Sequence, residues 1–370
     1  MRGVYIHIPF CRNICSYCDF CKMYYNKELS NIYLDYLEKE ISFEIGREKE
    51  IDMYYEGDTV KTIYVGGGTP SSLDTDNLNK LFRIINKFKI SSDAEFTFEC
   101  NIDDINDELL TILKENHVSR ISIGVESFNK DKLKYLNRNH NKKEIFNNIS
   151  LVKKYGFNNI NVDLIYATIK DTSHVLKSDI KNMIKLGVPH ISTYSLIIEE
   201  HTMLYNEKTE PISEQVDFNS YIYICKKLKK YGFHHYEVSN FALPGYESVH
   251  NLIYWNNEEY YGFGLGAHGY INEMRYENTR NMNKYLRSDY RLNELLVSSI
   301  EEMENEVILG LRKLDGISVT HFHNKFKKNI FKVFKFEEVI KKGYVIYKDD
   351  MLYIPEDKIY VMNEIINMII

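Results

Sequence analysis

GVYIHIPFCRNICSYCDFC, residues 3–21, decides the reading of the whole chain. Val4 to Ile8 is a β-branched run that predicts a short strand, and cysteines follow at once in the spacing Cys11-x3-Cys15-x2-Cys18. Thiolates this close on one loop can converge on an iron–sulfur cube, because soft sulfur suits iron and a loop lets three side chains point inward. Three protein ligands leave one iron open, as a catalytic zinc keeps one position free. Spacing alone equally admits a zinc site completed by Cys21 or His7, and Cys21 as a fourth ligand would close a cluster.

Working outward, the chain has 370 residues with Lys+Arg 47 and Asp+Glu 53, so 47 − 53 gives a formal charge of −6. With 44% hydrophobic and 27% charged residues it falls in the globular range and outside the composition of disordered chains. No apolar run approaches the ~20 residues that span a bilayer, and the polar, Pro9-interrupted start does not read as a secretory leader. Four of six cysteines crowd into residues 11–21, which points to metal or redox chemistry in a reduced compartment, not to a disulfide framework. A cytoplasmic protein is expected.

From residue 3 to about 240, short β-branched runs alternate with amphipathic stretches, the pattern of a parallel sheet covered by helices. Strands are expected near Val4–Ile8, Thr62–Val65, Glu95–Glu99, Arg120–Gly124, Asn159–Ile165, His190–Leu196 and His234–Glu237. Helices are expected near Leu29–Arg47, Asp74–Phe88, Asn106–Asn116, Lys142–Tyr155, Asp171–Leu186 and Ser213–Tyr231. About six βα units with right-handed crossovers would curl into a full or partial α/β barrel, with functional residues at the strands' C-terminal ends. The expected organisation is a barrel unit at 1–240, an aromatic and glycine-rich connecting region at 241–288, and a helical, winged-helix-like unit at 289–370 that opens with a helix near Leu292–Leu311 and closes with two short strands.

At the end of the second strand lies VGGGTP, residues 65–70. Three glycines remove every Cβ from the turn, so backbone groups can approach a small polar ligand. A tight βα turn is the plainer reading, but beside the cysteine triplet the run would set ligand-contacting backbone next to an open iron.

CxxxCxxC followed by GGGTP on a βα chassis resembles the radical S-adenosylmethionine (SAM) superfamily over roughly residues 1 to 240. The resemblance implies a partial (β/α)6 barrel, a 4Fe-4S cluster on Cys11, Cys15 and Cys18, and SAM on its free iron. It also implies that Tyr17 contacts adenine and that Gly67, Gly68 and Thr69 meet the methionine amino group. The finer match is to the coproporphyrinogen dehydrogenase branch and its haem-chaperone relatives, whose opening strand YIHIPFC resembles, with Tyr5 near SAM. FTFECN then implies a SAM-binding Glu99, LNRNH an Arg138 at the SAM carboxylate, and NVDLIY an Asp163 at the ribose. RISIGVESF places Glu126 where the family usually has Gln, adding negative charge unless it is neutralised or turned away. Ala167-Thr168-Ile169-Lys170 also departs from the usual Gly-Leu-Pro turn.

The second half separates the two branches. YEVSNFA, PGYES, HNLIYW and GLGAHGY resemble the haem-chaperone branch, in which the motif opened by His250 is associated with haem. Imidazole is a good iron ligand, and Tyr254 with Trp255 could stack a flat macrocycle; a packed aromatic corner with a structural histidine fits the same residues. The first cysteine already stands at residue 11, whereas the dehydrogenase carries an extended arm ahead of its cluster, and Cys18-Asp19-Phe20 keeps the chaperone-like CDF.

From His321 to Lys348, eight lysines against Glu337 and Glu338 give 8 − 2 = +6, interleaved with phenylalanines. A solvated helix face or attraction to an anionic membrane or acidic partner is expected there ahead of nucleic acid. The expected function is haem carriage: haem as cargo, recipient haem proteins, some at the membrane, as partners, and self-association as a homodimer. The alternative is oxygen-independent oxidative decarboxylation of coproporphyrinogen III, and a third reading is other tetrapyrrole chemistry.

Overall fold

The computed structural model describes residues 2–50 and 59–370. Strand β1 (Arg2–Ile8) leads into two short strands, β2 (Phe10–Cys11) and β3 (Met23–Tyr24), which pair with each other and tie together the two ends of the cysteine loop. The next strands are β4 (Val60–Gly67), β5 (Ile90–Asn101), β6 (Arg120–Glu126), β7 (Asn159–Tyr166) and β8 (His190–Ser195). With β1 they form six neighbouring parallel strands in chain order. The helices between them are α1 (Lys27–Glu50), α2 (Thr75–Ile85), α3 (Asp107–Glu115), α4 (Lys130–Tyr135), α5 (Lys142–Lys154) and α6 (Ser173–Leu186). Their starts are fixed by the caps the sequence offered: Asp74, Asn106 and Thr172 each accept backbone N–H bonds, and Asn141 with Glu144 forms a capping box.

The sheet is open, not closed. Beyond α7 (Met203–Asn206) and α8 (Glu214–Lys230), β9 (His234–Glu237) and β10 (Asn240–Ala242) form an antiparallel hairpin whose β10 pairs with β8, so His234–Glu237 is an edge strand bonded only to β10 and does not extend the parallel pairing. On the other side β1 pairs with β11 (Tyr260–Phe263), after which β12 (His268–Ile271), β13 (Met274–Asn278) and β14 (Arg291–Leu296) extend one twelve-stranded sheet. The aromatic, glycine-rich stretch thus supplies hairpins of the main sheet together with one short helix, α9 (Val249–Trp255), which carries HNLIYW.

One expectation is corrected here. The helix expected to open near Leu292 starts at Ser299, because Arg291–Leu296 pairs in register with β13 and Arg291 is held by Glu44 at 2.6 Å and stacks 3.8 Å from the Tyr276 ring. The capping box of Ser298 and Glu301 sets the true start. The last helices pack with a three-stranded sheet, Ile317–Ser318, Ile346–Lys348 and Met351–Tyr353, around the buried Phe322, Phe336, Leu352 and Ile354. Among the described residues no helix is long and apolar enough to cross a membrane.

What positions the site is strand alternation. In β6, Ile121, Ile123 and Val125 are fully buried in the main core, each worth about 1.5–3 kcal/mol. Arg120, Ser122, Gly124 and Glu126, on the opposite face, line a cavity.

Candidate functional site

That cavity has a volume of about 540 Å³ and is walled by β4 to β8 and the cysteine loop. Cys11, Cys15 and Cys18 all face it. Cys21 is not on its wall; the Cys21 sulfur lies 3.8 Å from the Arg280 carbonyl. Burial pushes the thiol pKa of Cys11 up to about 12 and that of Cys18 up to about 11, and raises Cys15 as well. Metal ligation therefore has to displace their protons.

His7 is not free to complete a zinc site. Its Nε2–H donates to the Cys21 carbonyl at 2.7 Å, Nδ1 accepts from the Tyr5 hydroxyl at 3.0 Å, and burial lowers its pKa to about 4. Among the described residues no three His, Cys, Asp or Glu side chains gather as ligands of a single ion. A cube, which spreads its thiolates over separate irons, suits three cysteines facing one cavity better.

The glycine turn is sterically obligatory. Gly67 sits at φ +111, where an added Cβ would come within 2.4 Å of the His7 ring, and a Cβ on Gly68 would lie 2.8 Å from the Pro9 backbone. The Gly67 N–H donates to Glu99 Oε2 at 3.0 Å, while Glu99 Oε1 accepts from the Tyr64 hydroxyl at 2.7 Å. Thr69 closes the turn: its hydroxyl lies 3.5 Å from the Cys11 sulfur and accepts from Asn101 at 3.2 Å. Glycine cradle, threonine and first cysteine form one continuous wall, which fits a cluster with a small zwitterion on it.

Joined to that wall through Asn101, the side chains of Tyr17, Glu126 and Arg138 close a triangle. The Tyr17 hydroxyl donates to Glu126 Oε1 at 2.9 Å, and Arg138 Nη2 donates to the same oxygen at 2.5 Å and to the Tyr17 hydroxyl at 3.0 Å. Arg138 Nη1 reaches Asn101 at 2.7 Å, and Arg138 Nε is buried without a protein partner. The charge of Glu126 is thus neutralised inside the wall. Glu126 adopts φ +61 and Ala167, at the neighbouring strand end, φ +63, so both strand ends use left-handed backbone that side chains resist. A fully buried ion pair underlies them: Lys132 Nζ meets Asp171 at 2.7 Å and Asp179 at 3.3 Å, and Asp179 also accepts from the Ser127 hydroxyl and the Phe128 N–H.

Asp163 lines the cavity, accepts from Asn161 at 2.8 Å and has its pKa raised to about 7, chiefly by burial and next by Glu126. Two expected residues lie off the cavity wall. Tyr5 packs against His7 and Tyr64, and His250, on α9, has both ring nitrogens engaged: Nδ1 with the Thr62 hydroxyl at 2.8 Å and Nε2 with the Tyr254 hydroxyl at 2.7 Å. Burial lowers its pKa to about 3, so it is a neutral imidazole. α9 still reaches the cavity through Asn251. Arg120, Ser122, Asn161 and Ser192 on the wall are not singled out by the sequence reading; period-2 alternation along β6 to β8 is the signal that places them there.

Residues 5–181 match the family model of the Radical SAM superfamily. The chain is 41% identical over 342 residues to "Heme chaperone HemW" of Lactococcus lactis subsp. lactis (strain IL1403), covering 90% of this chain and 87% of that one. It is 37% identical to the protein of the same name in Bacillus subtilis (strain 168), covering 99% and 98%. Coproporphyrinogen III oxidase (HemN) from Escherichia coli, described as a radical SAM enzyme, superposes with a TM-score of 0.85 at 20% identity, over 99% of this chain and 89% of its own, a likeness of fold. Superfamily membership implies the 4Fe-4S cluster and SAM whose ligand walls are described above. With a cysteine-lined cavity walled by five of its six parallel strands and close similarity along nearly its whole length, the chain belongs to the HemW family of the radical SAM superfamily.

Proposed function

We propose that this chain binds haem and passes it to recipient haem proteins from a cluster-bearing radical SAM scaffold. The observation that carries the reading is the extent of similarity: the Bacillus subtilis relative named for haem chaperoning matches over 99% of the chain, including the third beyond residue 240 in which chaperone and oxidase branches differ. When bound, the cluster supplies an iron open to the amino and carboxylate groups of SAM. This chain's own residues hold that ligand: Gly67, Gly68 and Thr69 on one wall, Glu99 and Asp163 below, Tyr17 and Arg138 joined to that wall through Asn101.

The haem is received through the cavity mouth, where Phe20 and Ile197 are 62% and 67% exposed on its rim and offer apolar surface to the part of the macrocycle left outside. Contact of His250 with the iron requires Nε2 to leave the Tyr254 hydroxyl. Delivery takes place on the cytoplasmic side of the membrane, approached by the lysine-rich surface around Lys327, Lys328 and Lys332, and a homodimer is the working form. The test is transfer: haem-loaded protein is mixed with an apo haem protein and the two are separated. Recovery of intact haem in the acceptor supports the proposal, and haem that stays on the donor or binds neither contradicts it.

A further inference from the structure

The floor of the cavity carries a cation that forms no contact ion pair among the described residues, although Glu99 on the wall feels its charge. Arg120 opens β6 on the cavity face, is 2% exposed, and is in none of the ion pairs formed by the described residues. Its Nε is buried without a protein partner. In register beside it stand Thr97 on β5 and Asn159 on β7, and their side-chain oxygens, Thr97 Oγ1 and Asn159 Oδ1, are buried and unpartnered too. A guanidinium taken out of water without a carboxylate is costly, and a row of three such groups is rare in a folded interior. From Gly124, beside Arg138, to Arg120 is four residues of strand, roughly 13 Å at ~3.3 Å per residue. Arg138 gives both terminal nitrogens to Glu126, Tyr17 and Asn101 near the mouth, and its Nε alone lacks a protein partner. The deep cation is therefore a separate position.

Resting on the haem-carrier reading, we infer that Arg120 receives a propionate carboxylate of the tetrapyrrole, which enters the cavity edge-first. The planar fork of the guanidinium matches a carboxylate bidentately. Ser122, the next cavity-facing residue along β6, accepts from Asn161 at 2.8 Å and so keeps its hydroxyl proton to donate to the same oxygens. Glu99, Asp163 and Glu126 on the walls favour a singly charged carboxylate over a phosphate. Two sources offer that chemistry, the propionate and the methionine carboxylate of SAM, and the experiment separates them.

Wild type, Arg120→Gln and Arg120→Lys, each full-length and cluster-loaded, are titrated anaerobically with haem, with haem dimethyl ester, whose propionates are blocked, and with SAM. The expected result is at least tenfold weaker haem binding in Arg120→Gln, an intermediate loss in Arg120→Lys, ester and SAM affinities within twofold of wild type in both, and wild type preferring haem to its ester at least tenfold. The wild-type comparison stands even if a variant fails to fold. Equal wild-type affinity for haem and ester, unchanged haem binding in a folded Arg120→Gln, or a loss confined to SAM overturns the assignment of Arg120 while leaving the carrier reading intact. A wild type that binds no haem overturns both.

Discussion

Arg138 and Glu126 form a 2.5 Å ion pair inside the cavity wall, with side chains 12% and 5% exposed, and the proposed function brings the SAM carboxylate to that same guanidinium. The acidic residue that departs from the family's usual Gln does not repel that ligand from an open position. It competes for the same guanidinium.

Glu126→Gln should therefore strengthen SAM binding, by up to about tenfold, the worth of one charge-assisted hydrogen bond of ~1.4 kcal/mol. Arg138→Gln should weaken it by a similar factor or more. Anaerobic calorimetry on cluster-loaded protein measures both, and weaker binding in Glu126→Gln would show that the carboxylate itself holds the ligand.

The fold was largely legible. The six parallel strands were visible as β-branched or aromatic runs, because the core-facing position, every second residue, must be apolar, whereas His234–Glu237 was placed without its antiparallel pairing. Arg291–Leu296 was not, because its identity comes from pairing at the sheet edge and its side chains are largely exposed, leaving little pattern to read. Within the site, Cys11, Cys15, Cys18 and the glycine turn were readable from spacing. The partnering of Glu126 with Arg138, twelve residues on, and the enclosure of His250 by Thr62, 188 residues away, depend on how distant elements pack.

Ligand identity has a direct test. Cys11→Ser, Cys15→Ser and Cys18→Ser should each abolish the charge-transfer absorbance of a reconstituted cluster, whereas Cys21→Ser should keep it, since the Cys21 sulfur faces Arg280 and not the cavity. Iron analysis and absorbance check the set, and a cluster lost with Cys21 would show a closed, four-cysteine site.

Lys132 offers a stability test away from any ligand. Lys132→Met leaves Asp171 and Asp179 buried without a cation and should cost about 3–5 kcal/mol in denaturant unfolding. Because the pair ties the loop after β7 to the one after β6, looser SAM binding should accompany it. A loss below about 1 kcal/mol, the scale of an exposed pair, would contradict the buried network.

Asp163 predicts a pH dependence with a definite sign. Its folded pKa, about 7, lies above the ordinary carboxyl value of 3.8, so between those values the native state holds a proton that the unfolded state has released. This group's contribution to stability is present at low pH and declines as pH rises through that window. Asp163→Asn should remove the decline, so the ligand-free variant gains on wild type steadily from about pH 4 to 7 in thermal unfolding. A constant difference across that range would contradict the assignment.

The central claim, that a tetrapyrrole is carried and not transformed, is tested most directly by anaerobic incubation of cluster-reconstituted protein with dithionite, SAM and either haem or coproporphyrinogen III, followed by chromatography of tetrapyrroles and nucleosides. The account predicts intact haem retained on the protein and coproporphyrinogen III unchanged. Protoporphyrinogen IX appearing together with 5′-deoxyadenosine would contradict it and make the chain a decarboxylating enzyme.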